Sequence, residues 1–160
     1  MTGTVRLLVN GSEHEVAAAP TVPLVDVLRN ALGLTGTRYG CGLEKCGSCV
    51  VLIDGRPEYA CTREIGTIEG RAIETVEGLG RPGAMHPLQQ AFLDEQAGQC
   101  GYCLSGIMMQ AKALLDRNPA PTRADIVTAL EPHLCRCGAH LRIVRAVERA
   151  ARANGAARGA

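Results

Sequence analysis

The chemistry of this chain resides in its eight cysteines, which fall into two sets of four. Cys41, Cys46, Cys49 and Cys61 follow a C-x4-C-x2-C pattern with one distant fourth member, a spacing with which four thiolates hold a 2Fe-2S cluster. Three thiolates on one loop can wrap a cluster only where the backbone turns tightly, and Gly40, Gly42 and Gly47 leave the loop free to do so. Amides along such a loop can donate to sulfur and tune the potential. Cys61 arrives from the end of a strand pair and pins the loop to the sheet. The alternative is zinc held by four cysteines, but zinc ligands usually come as two C-x2-4-C pairs, and the long loop fits that less well.

The second set is Cys100-Gly-Tyr-Cys103 and, much later, Cys135-Arg-Cys137. Cys100 and Cys103 are expected at the N-terminus of one helix, where partial positive charge favours thiolate, and Cys135 and Cys137 just before the next long helix. Two helix N-termini would then converge on one centre. A thioredoxin-like reading of Cys100 and Cys103 wants a βαβ setting and explains neither Cys135 nor Cys137. Zinc remains a competitor here on ligand type.

The elements that must position these thiols are legible in outline. Val5 to Val9, Asn10-Gly11 and Glu13 to Ala17 read as a hairpin, because Asn-Gly supplies the positive backbone angles of a type I′ turn. Leu24, Leu28 and Leu32, four apart and followed by Gly33, predict a short amphipathic helix. Val50-Val-Leu-Ile is a buried strand closed by Asp54-Gly55, and a further strand is expected over Glu58 to Thr62. Gly78-Leu-Gly-Arg-Pro-Gly reads as a linker, beyond which helices are expected over 87–96, 103–117, 122–130 and 141–151. Thr122 stands where it can cap the third of these with Asp125. The tail from Arg152 to Ala160 is expected to fray. The 160 residues thus divide into 1–78 and 79–160, an α+β chain of short strands followed by a four-helix bundle.

Composition excludes several functions. Lys plus Arg number 17 against 16 Asp plus Glu, which gives no electrostatic reason for nucleic acid or an anionic membrane. With no Trp, one Phe and three Tyr, base-stacking platforms are missing. No apolar run is long enough to span a bilayer, and Met1-Thr-Gly-Thr-Val-Arg does not open a signal peptide, so the expected location is the cytoplasm. Eight cysteines in that reducing setting read as metal ligands rather than disulfides. His140 is not needed as a ligand, and His14, His86 and His133 read as exposed or capping side chains. Met108-Met109 reads as core. Arg142, Arg145 and Arg149 share one helix face, solvated or turned to a partner. No nucleophilic triad and no phosphate-binding glycine loop is present, so no catalytic residue and no substrate site is expected on this chain.

Gly40-Cys-Gly-Leu-Glu-Lys-Cys-Gly-Ser-Cys49, Gln99-Cys-Gly-Tyr-Cys103, Ser105-Gly-Ile and Leu134-Cys-Arg-Cys-Gly138, in this order, closely resemble the small iron-sulfur subunit of the xanthine oxidase family of molybdenum hydroxylases. The likeness runs from about Val5 to about Ala150. It implies a plant-ferredoxin-like β-grasp domain at the N-terminus, a four-helix bundle at the C-terminus and one 2Fe-2S cluster in each. It implies a separate large subunit carrying molybdopterin cytosine dinucleotide with molybdenum, and a further FAD-binding medium subunit or cytochrome subunit with haem. Electrons would reach the Cys100, Cys103, Cys135 and Cys137 cluster first and the Cys41, Cys46, Cys49 and Cys61 cluster second. Gln99 matches the family position that contacts the pterin, and Cys137 the ligand nearest to it.

Many relatives continue the Cys-Arg-Cys motif with Thr-Gly-Tyr, whereas this chain has Gly138-Ala-His140. That variant resembles subunits of bacterial enzymes for isoquinoline, nicotinate and related aldehydes, alongside the wider group that includes carbon monoxide dehydrogenase. It implies an N-heteroaromatic or aldehyde substrate for the complex. The competing functions are a double-zinc structural module and a free-standing ferredoxin. The bundle half speaks against the ferredoxin, because a diffusing carrier needs only the first half.

Overall fold

The computed structural model describes residues 3–81 and 83–158, with side chains up to Asn154. Pro82 of the expected linker and the last two residues of the tail lie outside the described residues.

Strands β1 (Gly3–Val9) and β2 (Ser12–Ala18) form the expected hairpin, with Asn10 and Gly11 both at positive φ, as a type I′ turn demands. β3 (Val50–Ile53) and β4 (Arg56–Tyr59) form a second hairpin, turned by Asp54 and Gly55 in the same way. β5 (Ala72–Glu74) lies between them, parallel to β1 and antiparallel to β3, giving the order β2-β1-β5-β3-β4. The second hairpin's return strand ends at Tyr59, not Thr62. Ala60 to Thr62 form a turn, closed in part by the Thr62 amide donating to Tyr59 O.

One helix of the first half packs on one face of this sheet. It begins as α1 (Leu24–Asp26) and continues through a π-helical turn over Val27–Ala31, where the Leu32 amide reaches back to Val27 O. The four-residue leucine spacing foretold a helix but not the wider turn. That turn keeps Leu24 and Leu28 fully buried and leaves Leu32 at the margin of the core.

The bundle comprises α2 (Pro87–Asp94), α3 (Leu104–Arg117), α4 (Arg123–Leu130) and α5 (His140–Arg158). Thr122 and Asp125 cap α4 reciprocally, as the sequence indicated. The expected fraying of the tail does not occur at Arg152, because α5 runs on to Arg158.

The two halves share a core. β3 is buried on both faces: Val51 and Ile53 point into the sheet-helix core, while Val50 and Leu52 pack with Leu79, Met109 and Ala113. An unbroken apolar strand in an otherwise mixed sheet is what covering on both faces requires. The ammonium of Lys112 on α3 lies 3.5 Å from the Glu74 carboxylate at the end of β5 and 2.6 Å from Asp116.

Candidate metal centres

The first loop is tied down before it reaches its cysteines. Arg29 donates to Thr35 O and Thr37 O at 2.7 and 2.9 Å, and the Gly36 amide donates to Glu77 at 2.7 Å. The chain then turns so that its own amides face sulfur. Leu43 N and Lys45 N lie 3.3 and 3.2 Å from Cys41 Sγ, and Cys41 N lies 3.4 Å from Cys46 Sγ. Cys49 stands at the start of β3 and Cys61 in the turn after β4, so the hairpin brings both together, with Ala60 N donating to Cys49 O at 3.2 Å. Glu44, accepting from the Thr62 hydroxyl, closes the loop towards Cys61.

Depth divides these thiols. Cys41 is exposed, whereas Cys49 and Cys61 are buried. The Leu43 amide lowers the Cys41 pKa to about 7, with slight burial opposing and the Lys45 amide assisting. Burial pushes Cys49 up to about 12, and its hydrogen bonding with Cys61 contributes in both directions.

The second centre repeats this division on different elements. Cys103 is the residue before α3 and is buried, while Cys100 lies in the exposed turn ahead of it. Cys135 and Cys137 precede α5, as expected, and the Cys137 and Cys100 sulfurs approach to 3.5 Å. The Tyr102 amide, then the Cys137 thiol, lower the pKa of Cys100. Burial pushes Cys103 up to about 12, reinforced by the neighbouring Cys135. For Cys135 burial also acts upward, but the Ala139, Cys137 and Gly138 amides with the Cys103 thiol outweigh it and leave the pKa lowered.

The sulfurs associate in twos: Cys41 with Cys46, Cys49 with Cys61, Cys100 with Cys137, and Cys103 with Cys135. Two pairs per centre, edged by backbone amides, suit a two-iron cluster with two thiolates on each iron and hydrogen bonds to sulfur.

Gln99 is exposed beside Cys100 and lines a cavity of about 650 Å³ with Phe92, Leu93, Leu104, Met108 and Arg142. Of the arginine row, Arg149 pairs with Asp94 at the end of α2 and with Glu95 just beyond it, and Arg145 stands 4.0 Å from Glu95. Met109 is core, as expected, while Met108 borders the cavity.

His86 caps α2, its Nδ1 accepting from Leu88 N at 3.1 Å. His133 departs from the expected capping or exposed role. It is 3% exposed, its Nδ1 has no hydrogen-bond partner, and burial lowers its pKa to about 4. Its ring occupies the space that a Cβ on Gly47 would need, and the Leu134 amide beside it donates to Cys46 O at 3.1 Å. On the other side of the same loop, a Cβ on Gly106 of α3 would run into the Gly47 carbonyl. Sequence reasoning missed this interlock, for which the only hint was that Gly106 and His133 each lie close to a cysteine.

Two family models cover nearly the whole chain: a 2Fe-2S iron-sulfur cluster binding domain over residues 7–74 and a 2Fe-2S binding domain over residues 75–148. A nicotinate dehydrogenase subunit of Pseudomonas putida is 54% identical over 94% of this chain and 96% of its own length. Quinoline 2-oxidoreductase from Pseudomonas putida 86 contains a chain that superposes with a TM-score of 0.91 at 36% identity, covering 97% of both. The aldehyde oxidoreductase of Desulfovibrio desulfuricans superposes with a TM-score of 0.90 at 41% identity, covering 98% of this chain but 17% of that one.

Proposed function

The chain belongs to the small iron-sulfur subunits of the xanthine oxidase family of molybdenum hydroxylases, and we propose that it relays electrons, through two 2Fe-2S clusters, away from a molybdopterin centre on a separate large subunit. The observation that carries this reading is the arrangement of eight thiols as two four-cysteine sets on touching loops. Cys41, Cys46, Cys49 and Cys61 hold one cluster, and Cys100, Cys103, Cys135 and Cys137 the other. A cluster so held supplies one-electron exchange without proton transfer or bond making.

The division of labour follows residues 1–78 and 79–160. Cys100 and Gln99 beside it are exposed and Cys137 is partly so, so this edge of the bundle is the one to meet molybdopterin cytosine dinucleotide on the large subunit. The Leu134 amide on Cys46 O joins the two ligand segments, and the exposed Cys41 loop faces outward as the exit to a FAD or haem subunit. Buried Cys49 and Cys103, with pKa values near 12, must each release a proton as iron binds, which makes loading pH-dependent.

That the aldehyde oxidoreductase carries a similar unit within a much longer chain supports a partner that does the substrate chemistry. The likeness to nicotinate and quinoline enzymes supports an N-heteroaromatic substrate for the assembly, with an aldehyde as the other choice. Eight unpaired thiols support assembly in the reducing cytoplasm.

The test is an iron, sulfide and zinc assay on anaerobically purified protein, with EPR before and after dithionite. About four irons and four sulfides per chain, with two distinct reduced signals, are expected. Zinc without sulfide, and no EPR signal, would overturn the relay.

A further inference from the structure

We propose that His133 is a positioning residue for electron exchange between the two centres, its ring wedging the first cysteine loop against the segment that carries the second. The proposal rests on the reading of the eight cysteines as ligands of two clusters.

The two ligand segments meet at one hydrogen bond. Leu134, immediately before Cys135, donates its amide to the carbonyl of Cys46 at 3.1 Å. A hydrogen bond between two loops holds its length only if both loops are held; two contacts here converge on Gly47, and a third holds the histidine that makes one of them. The His133 ring lies where a Cβ of Gly47 would project, Gly106 of α3 closes on the Gly47 carbonyl, and the His133 amide donates to Leu130 O at 2.9 Å, anchoring the wedge to the end of α4. Gly47 at φ +75° is thus clasped between α3 and an imidazole that is 3% exposed.

The ring acts here through its shape. Its buried Nδ1 makes no hydrogen bond, so a flat side chain of similar size is what the position requires. The step it serves is simple in its balance: one electron leaves the Cys100/Cys103/Cys135/Cys137 centre, which is oxidised, and reduces the Cys41/Cys46/Cys49/Cys61 centre. No bond breaks and no proton moves. Such exchange depends steeply on separation, so a loop that drifts from its neighbour slows it while leaving each centre intact.

The test uses the full chain loaded with both clusters, given less than one electron equivalent and followed by freeze-quench EPR as the electron moves between the two signals. His133→Ala is expected to keep both signals and their potentials but to slow the exchange several-fold, because electron exchange falls off exponentially with the separation of the two centres. His133→Phe, which keeps the flat wedge, is expected to exchange within about twofold of the parent. An Ala variant that loads fully and exchanges at the parent rate overturns the proposal. Should Ala fail to load, the Phe variant decides: parent-like exchange supports the wedge, and slow exchange or failed loading overturns it. A parent chain with fewer than two reducible signals removes the reading beneath the proposal before any variant is made.

Discussion

The two cysteine centres solve one chemical problem with different backbones. In the first, one loop supplies Cys41 and Cys46, and a strand pair supplies Cys49 and Cys61. In the second, the segments leading into α3 and α5 each supply two thiols. Both nevertheless end with a buried thiol raised to about 12 and an exposed thiol lowered by a nearby amide, Leu43 in one case and Tyr102 in the other. What the centres share is set by the need to accept a cluster at a protein surface, one side held dry and the other within reach of a partner. What differs is how each is anchored: the first depends on the sheet and on clamps from the bundle, the second chiefly on the starts of its own helices, with Leu134 N on Cys46 O and the Tyr102 hydroxyl on Tyr39 O tying it back to the first loop.

The largest expected effect tests whether the centres are separate sites. Cys49→Ser removes a ligand at the base of the first loop, and Cys137→Ser removes one at the exposed edge of the second. Each variant should fall to about two irons per chain and lose one of the two reduced EPR signals, a different one in each case. If Cys49→Ser emptied both centres, the ties from Leu134 and Tyr102 to the first loop, rather than the starts of α3 and α5, would be what holds the second centre together.

A smaller effect should reveal the asymmetry of that anchoring. Gly106 belongs to the second half, just beyond Cys103, yet the atom that its added Cβ would strike is the Gly47 carbonyl of the first loop. Backbone against backbone has little room to yield, so Gly106→Ala should cost about 1–3 kcal/mol by denaturant unfolding. Its spectroscopic mark should fall on the first centre, with a broadened or shifted EPR signal there and little change in the second. A change confined to the second centre would show that the loop is not clamped from the bundle.

How much of this was legible follows the range of the interactions. Asn10-Gly11, Thr122 with Asp125, and the C-x4-C-x2-C run state their structures within a few residues, and the hairpin and cap stand as read. The second cysteine set is split along the chain, and its convergence followed from placing each pair before a helix. The π turn at Val27–Ala31, the end of β4 at Tyr59 and the extension of α5 to Arg158 are settled by packing and by hydrogen bonds that local pattern does not encode. The two-sided burial of β3 was written in Val50-Val-Leu-Ile as uniform apolarity, but not which partner would cover the second face. His133 was hardest to read, since only the approach of Gly47 from the other half turns an ordinary histidine into a wedge.

The smallest expected effect separates half-buried His86 from buried His133 by what each nitrogen does. His86 and His133 both have pKa values lowered by burial, but only His86 uses its Nδ1, as the acceptor for the Leu88 amide at the start of α2. A histidine whose folded pKa lies below its unfolded value contributes stability that is complete above the unfolded value, near 6.5, and is lost as the pH falls below it. Protonation of His86 also turns Nδ1 into a donor facing another donor and removes the cap. His86→Ala should therefore cost about 1 kcal/mol at neutral pH, within the range for lost N-caps, and the difference from the parent should shrink as the pH falls from about 7 towards 5. His133→Phe, which sacrifices no cap, should make the protein less sensitive to acid over the same interval without that loss at neutral pH. Thermal unfolding of the three proteins at a series of pH values measures both, and a His86→Ala deficit that stayed constant with pH would show that the ring packs without capping.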